Sequence, residues 1–424
     1  MNIDQPYDIV VVGCGHGGAQ VAVALRQNGF TGSVALVGDD HSLPYERPPL
    51  SKEYLLGTKH LDELLIRPPE FWTERGVDFV LGRAVEAVDS VGHRVVLTDG
   101  TSLGYRRLVW AAGGTARKWN GPGAGLKGLH SVRNAADIDR ITDALDGVSR
   151  VCIIGGGYIG LETAAVMRQL GKDVTLLEAA DRVLARVAGE TVSRFFEAEH
   201  RRRGVDVRTG AVVSGFKERD GRVCAVELGD GTEIPCGLVV VGIGIDPVVA
   251  PLQGAGASTD NGVVVDTHCM TSLPDVYAVG DCAVRANTYA HGRPVRLESV
   301  HNATDQANIV ARHICGLPHM DETLPWFWSH QYDIRLQTVG LSAGHDLAVT
   351  RGDIVAGRFS VVYVREGSVI ALDCVNSTKE FVQGRSLVMQ DVSTCLDQLG
   401  DISVPLKKMA QGRSPATNTL QTPT

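Results

Sequence analysis

The apolar positions of this chain gather in short, unbroken runs, many of them closed by glycine. That is the pattern of strands covered on both faces, since a half-exposed strand alternates and a helix spaces its apolar residues by three and four. Runs of this kind predict strands at 7–12, Val34–Val37, Leu108–Ala112, Val151–Ile154, Val174–Leu177 and Leu238–Val241, and Val77–Leu81 and Arg94–Leu97 read as strands around turn signals. Helical spacing predicts a helix over 16–28 and another through Ile159, Leu161, Ala164, Ala165, Met167 and Leu170, stopped by Gly171. Between them the Pro-rich segment Leu43–Leu55 reads as a stiff loop leading into a short helix from Ser51. A further apolar run within Thr271–Ala283 ends at Gly280-Asp281, and a helical stretch follows from Asn302 to Ile314. From Pro325 the texture changes to alternating runs at Arg358–Val364 and Ser368–Val375 and a helix over Lys379–Met389, a small α+β domain. The polar tail from Gln411 is expected to be disordered.

Two of these strand-to-helix junctions carry the same glycine spacing. Gly13, Gly15 and Gly18 stand after the first strand, and Gly155, Gly157 and Gly160 after the strand at Val151. In G-x-G-x-x-G the first glycine makes the tight turn, the second admits a pyrophosphate and the third lets the helix pack against the strand. The pyrophosphate then lies on the helix N-terminus. After the second copy the next strand ends on Glu178, placed to accept from a ribose 2′-hydroxyl. In the first copy that position is Gly38, with Asp39 one residue later. The offset, 155 − 13 = 142 residues, is too long for a solenoid and reads as two dinucleotide folds in one polypeptide.

The expected fold class is therefore α/β, with two Rossmann-like dinucleotide-binding domains and a small α+β C-terminal domain. The first domain is expected to take residues 1–117 and 246–324, because 1–117 alone supplies too few strands and the return would bring Asp281 to the first cofactor. The second domain is 118–245, the third 325–410, and 411–424 is the tail. The chain of 424 residues has a formal net charge of −8, which argues against nucleic acid or an anionic membrane as partner. No apolar run approaches the length of a membrane span, and the start has no basic leader, so a cytoplasmic protein is expected. Nine scattered cysteines show neither metal-knuckle nor redox-dithiol spacing, and no metal is expected.

Two adenine-dinucleotide sites suggest one tightly held cofactor and one exchangeable one. FAD is assigned to the first fold on the strength of the duplicated motif together with Gly280-Asp281. NADH is assigned to the second, where Glu178 would repel a 2′-phosphate; Arg182 and Arg186 could in principle host one, but read rather as solvated or as binding the pyrophosphate. Gly242-Ile243-Gly244 would let backbone approach a flat ligand, or simply turn. Lys52 and Glu162 would matter if both reached the flavin, the ammonium near its N5 and the carboxylate holding the ammonium. Read alone, they are two unrelated surface charges. No cysteine lies between Cys14 and Cys152, so electrons would leave the flavin without a cysteine relay. Trp326 and Trp328 are read as either an exposed aromatic surface or buried core, and His16 and His301 as packing residues near the cofactor turns.

Taken as a set, several motifs resemble the ferredoxin reductases of oxygenase systems, the putidaredoxin, rubredoxin and biphenyl-dioxygenase reductase group. They are G-C-G-H-G-G (13–18), R-P-P-L-S-K (47–52), G-G-G-Y-I-G-L-E (155–162), G-I-G (242–244), Y-A-V-G-D (277–281), L-E-S-V-H-N-A (297–303) and P-W-F-W-S-H-Q-Y (325–332). The resemblance implies a glutathione-reductase-like fold in which NADH reduces FAD and electrons pass singly to a two-iron two-sulfur ferredoxin feeding a monooxygenase or dioxygenase. It implies a catalytic pair, Lys52 and Glu162. It places FAD against Gly13, Gly15, His16, Gly17, Gly18, Asp39, Arg47, Lys52, Val85, Ala112, Gly113, Arg133, Asp281, Glu298, Val300 and Trp328. It places NAD against Gly155, Gly157, Tyr158, Ile159, Gly160, Glu178, Gly242, Ile243 and Gly244. An acidic ferredoxin would dock on cations such as Arg67, Arg312 and Lys379, and the protein is expected to be a monomer or weak dimer. Two departures stand out: W-A-A-G-G (110–114) lacks the usual threonine, and V-N-S-T-K-E-F (375–381) replaces a more basic stretch. Rubredoxin as acceptor is the near alternative. A redox sensor of the apoptosis-inducing-factor type is the alternative of another class.

Overall fold

The structure, a computed structural model, describes residues 5–390 and 396–410; the tail from Gln411 and Cys395 fall outside them. The chain forms two compact units. One holds the residues up to Val187 together with Phe196–Thr323, and the other holds Ala188–Phe195 and the residues from Leu324 onward.

The larger unit contains two parallel sheets built to one plan. In the first the order is Val77–Val80, Val34–Val37, Tyr7–Val12, Ser102–Trp110, with Val276–Ala278 completing the parallel set beside Ser102–Trp110. In the second it is Val205–Thr209, Asp173–Glu178, Arg150–Ile154, Leu238–Val241 and Leu129–His130, all parallel. Each strand that feeds a glycine motif therefore lies third, between its own next strand and a strand from much later in the chain. The unbroken apolar runs follow from this position. Ile9, Val10 and Val11 are fully buried, as are Cys152 and Ile153; Cys152 shares one core with Val223, Val226 and Ile234, so strands rather than a helix cover that face of the second sheet.

Antiparallel additions distinguish the sheets. Val85–Asp89 and Arg94–Leu97 extend the first through the N-terminal half of Ser102–Trp110. A separate sheet of Val213–Arg219, Arg222–Leu228 and Glu233–Pro235 accompanies the second. The chain leaves the first fold through Gly114–Ala116 and returns through Ile245–Pro247, and these two crossings pair antiparallel with each other.

Several boundaries differ from those expected. The strand read as Leu108–Ala112 is Ser102–Trp110, since Tyr105 is buried and extends the run toward the N-terminus. The helix read from Asn302 begins at Val300, because Ser299 caps it by accepting from the Asn302 amide at 3.1 Å. No regular helix starts at Ser51. Leu50–Tyr54 is one wide turn in which the Tyr54 amide donates to the Pro49 carbonyl, and the backbone leaves the helical region at Lys52 (φ −131°, ψ −106°).

The smaller unit is a five-stranded antiparallel sheet, ordered Trp326–Gln331, Ile334–Gly340, Ser368–Val375, Arg358–Arg365 and Leu347–Asp353, with the helix Thr378–Met389 packed on it. Leu347–Asp353 is an edge strand, exposed at most positions, with Arg351 turned fully inward. That guanidinium pairs with Glu380 at 2.8 Å and donates to the carbonyls of Leu399, Asp401 and Val404, tying the last described turns to the sheet. Phe195 packs edge-on against Phe359 at 5.1 Å, which draws Ala188–Phe195 into this unit.

Candidate functional site

The two glycine motifs do the same geometric work. Gly13 (φ 113°) and Gly155 (φ 107°) occupy left-handed backbone, and a Cβ on either would overlap a carbonyl, that of Ala111 or of Gly242. A Cβ at Gly18 or Gly160 would overlap the carbonyl of Gly13 or Gly155, so the helix packs on its own turn. Gly15 and Gly157, by contrast, look onto open space, with only Arg47 Nε 3.7 Å from a Cβ on Gly15 and nothing within 4 Å at Gly157.

Those two glycines are also the N-caps of the helices His16–Gln27 and Tyr158–Gln169. Neither helix has a side-chain cap or an acid in its first turn. The neighbouring helices Ala135–Ala144 and Val300–Ile314 are capped by Asn134 and Ser299. Two helix mouths thus lack a side-chain cap and keep the positive dipole end and free space, a setting that fits an anion such as a pyrophosphate.

Around the first mouth the structure gathers residues far apart in sequence. Arg47 donates to the Arg133 carbonyl at 2.7 Å, and Arg133 pairs with Asp281 at 3.2 Å. A Cβ on Gly113 would lie 2.9 Å from the Arg133 guanidinium, which places Ala112-Gly113 beside the same cluster. Arg296 donates to the Asp281 carbonyl at 3.0 Å and pairs with Glu298 at 2.7 Å. Gly17 faces Val279 and Ala303 at ordinary contact distance, so the helix containing Val300 closes one wall. Burial, then the Arg47 charge, lowers the pKa of His16 to about 4, so it is a neutral imidazole at physiological pH. Asp39 is exposed, and no side chain or amide of the described residues engages its carboxylate. It is free to accept from a ligand hydroxyl. The Val85 side chain lies in the core, leaving only its main chain available to a ligand. Trp328 belongs to the smaller unit, where it stacks on Trp326 at 5.2 Å.

The second mouth is more open. Ile159 is 42% exposed on the first turn of its helix. Glu178 is engaged by its own loop, accepting from the Gly156 amide at 2.6 Å and the Ala180 amide at 2.8 Å. Gly242 donates to the Ile154 carbonyl, Ile243 packs on the core of this fold, and Gly244 accepts from the Arg117 amide. A Cβ on Gly244 would stand 3.7 Å from Arg186 and 3.9 Å from Arg117, so two guanidinium groups flank that turn. Arg182 donates to the Ala185 carbonyl at 3.1 Å. Tyr158 stands at the helix start, in the position His16 holds in the first fold.

Lys52 Nζ lies 2.8 Å from Glu162 Oε2, with the two side chains only 14% and 4% exposed. The wide turn of the first fold thereby meets the fingerprint helix of the second across 110 positions of sequence. An ammonium has three N–H donors, and Glu162 is the only partner of Lys52 among the described residues. Two donors remain for a ligand acceptor. Three residues of this neighbourhood had no sequence signal of their own. Ser51 donates to the same carboxylate at 2.6 Å; Tyr54 reaches Asp139 at 2.8 Å; Tyr45 donates to Asp40 and accepts from the Ala135 amide. Cys14 sits beside the first mouth, but burial and then Asp39 raise its pKa to about 12, so it stays a thiol. Of the suggested docking cations, Arg67 lies over the Phe71 ring, Arg312 donates to the Pro318 carbonyl, and Lys379 is exposed on the smaller unit's helix.

Two uncapped helix mouths, in folds tied by a buried lysine–glutamate pair, fit the class shown by the family match, an oxidoreductase. The chain belongs to the pyridine nucleotide-disulphide oxidoreductase family, whose model matches residues 7–307, and a reductase C-terminal domain matches residues 326–410. It is 58% identical over 386 residues to a ferredoxin–NAD(P)(+) reductase of Sphingomonas sp, covering 91% of this chain and 93% of that one. It is 52% identical over 409 residues to the ferredoxin reductase subunit of a 5,5′-dehydrodivanillate O-demethylase of Sphingobium sp., covering 96% and 99%. A crystal structure of a covalent putidaredoxin reductase–putidaredoxin complex superposes with a TM-score of 0.92 at 40% identity, covering 96% of this chain and 99% of that one. FAD and a nicotinamide nucleotide are the cofactors of this family, and the two mouths have the donors and the space to fit them.

Proposed function

We propose that the protein is an NADH-dependent, FAD-containing ferredoxin reductase that passes electrons one at a time to a two-iron two-sulfur ferredoxin serving an oxygenase. FAD would be held by residues 1–117 and 246–324, NADH by 118–245, and residues 325–410 would form the third domain. The observation that carries the reading is the Lys52–Glu162 pair, which ties the first fold to the fingerprint helix of the second through a cation with unused donors. Bound FAD supplies the conversion of a two-electron donor into single electrons for an iron–sulfur acceptor.

The remaining work falls to the chain. Gly15 and the following amides would take the pyrophosphate of FAD, Asp39 its ribose, and Arg133 with Asp281 its flanks. Neutral His16 adds no charge to that mouth. Glu178, held in place by two amides, would accept from a ribose 2′-hydroxyl and repel a 2′-phosphate, which favours NADH over NADPH. Lys52 offers its N–H groups where negative charge arrives, and Glu162 keeps the ammonium there. No helix among the described residues is long and apolar enough to cross a membrane. The eight described cysteines are free, which suits the reducing cytoplasm we assign to it.

The test is anaerobic stopped flow. The purified yellow protein is reduced with NADH and mixed with two-iron ferredoxins and, separately, with rubredoxins. Ferredoxin reduction at a rate near that of flavin reduction is the expected result. Transfer to rubredoxin alone would change the acceptor, and transfer to neither would remove the proposal.

A further inference from the structure

Ser51 stands within the wide turn, yet no cofactor contact accounts for it. It is 2% exposed, and its hydroxyl donates at 2.6 Å to Glu162 Oε2, the oxygen that also receives the Lys52 ammonium. In a regular helix two consecutive residues point about 100° apart and do not share an acceptor. Here the departure from helical backbone at Lys52 brings both side chains to one oxygen. The far end of the turn is fastened as well, by Tyr54 on Asp139, so the turn grips two helices of the second fold.

Sharing has an electrostatic consequence. A carboxylate oxygen that already takes a hydroxyl proton has less negative charge to offer an ammonium, so the ammonium is held less tightly. We propose that Ser51 is a positioning residue for hydride transfer. By occupying part of Glu162 Oε2 it keeps Lys52 from settling wholly onto the carboxylate and leaves the lysine's other N–H groups directed at the flavin. This inference rests on the assignment of FAD to the first mouth.

The experiment uses the flavin-loaded protein and variants Ser51→Ala, Ser51→Thr, Glu162→Gln and the double variant Ser51→Ala/Glu162→Gln. Two quantities are read: the limiting rate of flavin reduction by NADH, and the midpoint potential of the bound flavin by dye equilibration. Loss of one hydrogen bond to a charged group predicts a limiting rate about tenfold lower in Ser51→Ala, with NADH affinity unchanged. The potential should fall, because less positive field reaches the ring. Ser51→Thr should restore both, and Ser51→Ala should add nothing once Glu162 is Gln. A rate and potential equal to wild type, with only a lower melting temperature, would make Ser51 a space-filler and overturn the inference. Should Ser51→Ala fail to retain flavin, Ser51→Cys keeps the size with a weaker donor; an intermediate rate is expected, and a wild-type rate overturns the inference. No ferredoxin enters these measurements, so a failure to reduce ferredoxin leaves them standing. A wild-type flavin that NADH does not reduce would sink the function instead.

Discussion

The two dinucleotide folds share strand order, glycine geometry and bare helix mouths, and differ in what surrounds each mouth. The first is walled by charge and by chain from three distant segments: Arg47, Arg133 and Asp281 form one bonded cluster, and the helix Val300–Ile314 closes the side. The second has an exposed Ile159 at its lip, and its acid is bonded to its own loop. One scaffold thus surrounds two mouths in different ways. Many anchors from separate segments suit a ligand that stays; a few contacts preformed on a single loop suit one that comes and goes, because little must be reordered at each arrival.

The sharpest way to break this comparison is to block one mouth at a time. Gly15 and Gly157 have extended backbone (ψ −165° and −179°) and open space, so a valine at either leaves the fold intact and obstructs only the ligand. Gly15→Val is expected to give a folded but colourless protein. Gly157→Val is expected to stay yellow while its flavin reduction by NADH falls by about 10²-fold or more. Circular dichroism with the visible spectrum separates the two, and a colourless Gly157→Val would show that the mouths are exchanged. A smaller effect is expected of Glu178→Ala, where the preference for NADH over NADPH, measured as the ratio of kcat/KM values, should narrow by about tenfold.

The smallest effect on turnover at neutral pH belongs to His16. Its folded pKa, lowered to about 4 from 6.5, means that the unfolded chain binds a proton in this window and the folded chain does not. The stability it contributes is therefore present above pH 6.5 and lost as pH falls toward 4. His16→Gln should flatten the apoprotein's loss of stability across that window by ~1–3 kcal/mol while leaving activity at pH 7.5 within twofold. A pH profile of denaturant midpoints identical to wild type would place the titration elsewhere.

Much of the scaffold could be read from local pattern, because continuous apolar runs arise only where both faces of a strand are covered. The junctions at Gly13 and Gly155 were legible for the same reason, since backbone geometry restricts those positions to glycine. Features fixed by distant partners were not. Leu129–His130 forms a two-residue strand only because Leu238–Val241 offers it an edge. Arg351 is buried because carbonyls some fifty positions later receive it. In the site, Lys52 and Glu162 lie 110 positions apart, so the residues alone left their pairing conditional and the resemblance decided it. Ser51, next to Lys52 in the same motif, reaches Glu162 only through a non-helical backbone at Lys52, which no local pattern marks.

The ribbon formed by Gly114–Ala116 and Ile245–Pro247 also bears on the length of the chain between them. Thr115 lies opposite Asp246, so the point of departure and the point of return are neighbours within one ladder. Everything between them is, to the outer sheet, a single excursion whose length places no demand on closure. A segment carried between these two crossings can therefore lengthen or shorten without stretching the outer sheet.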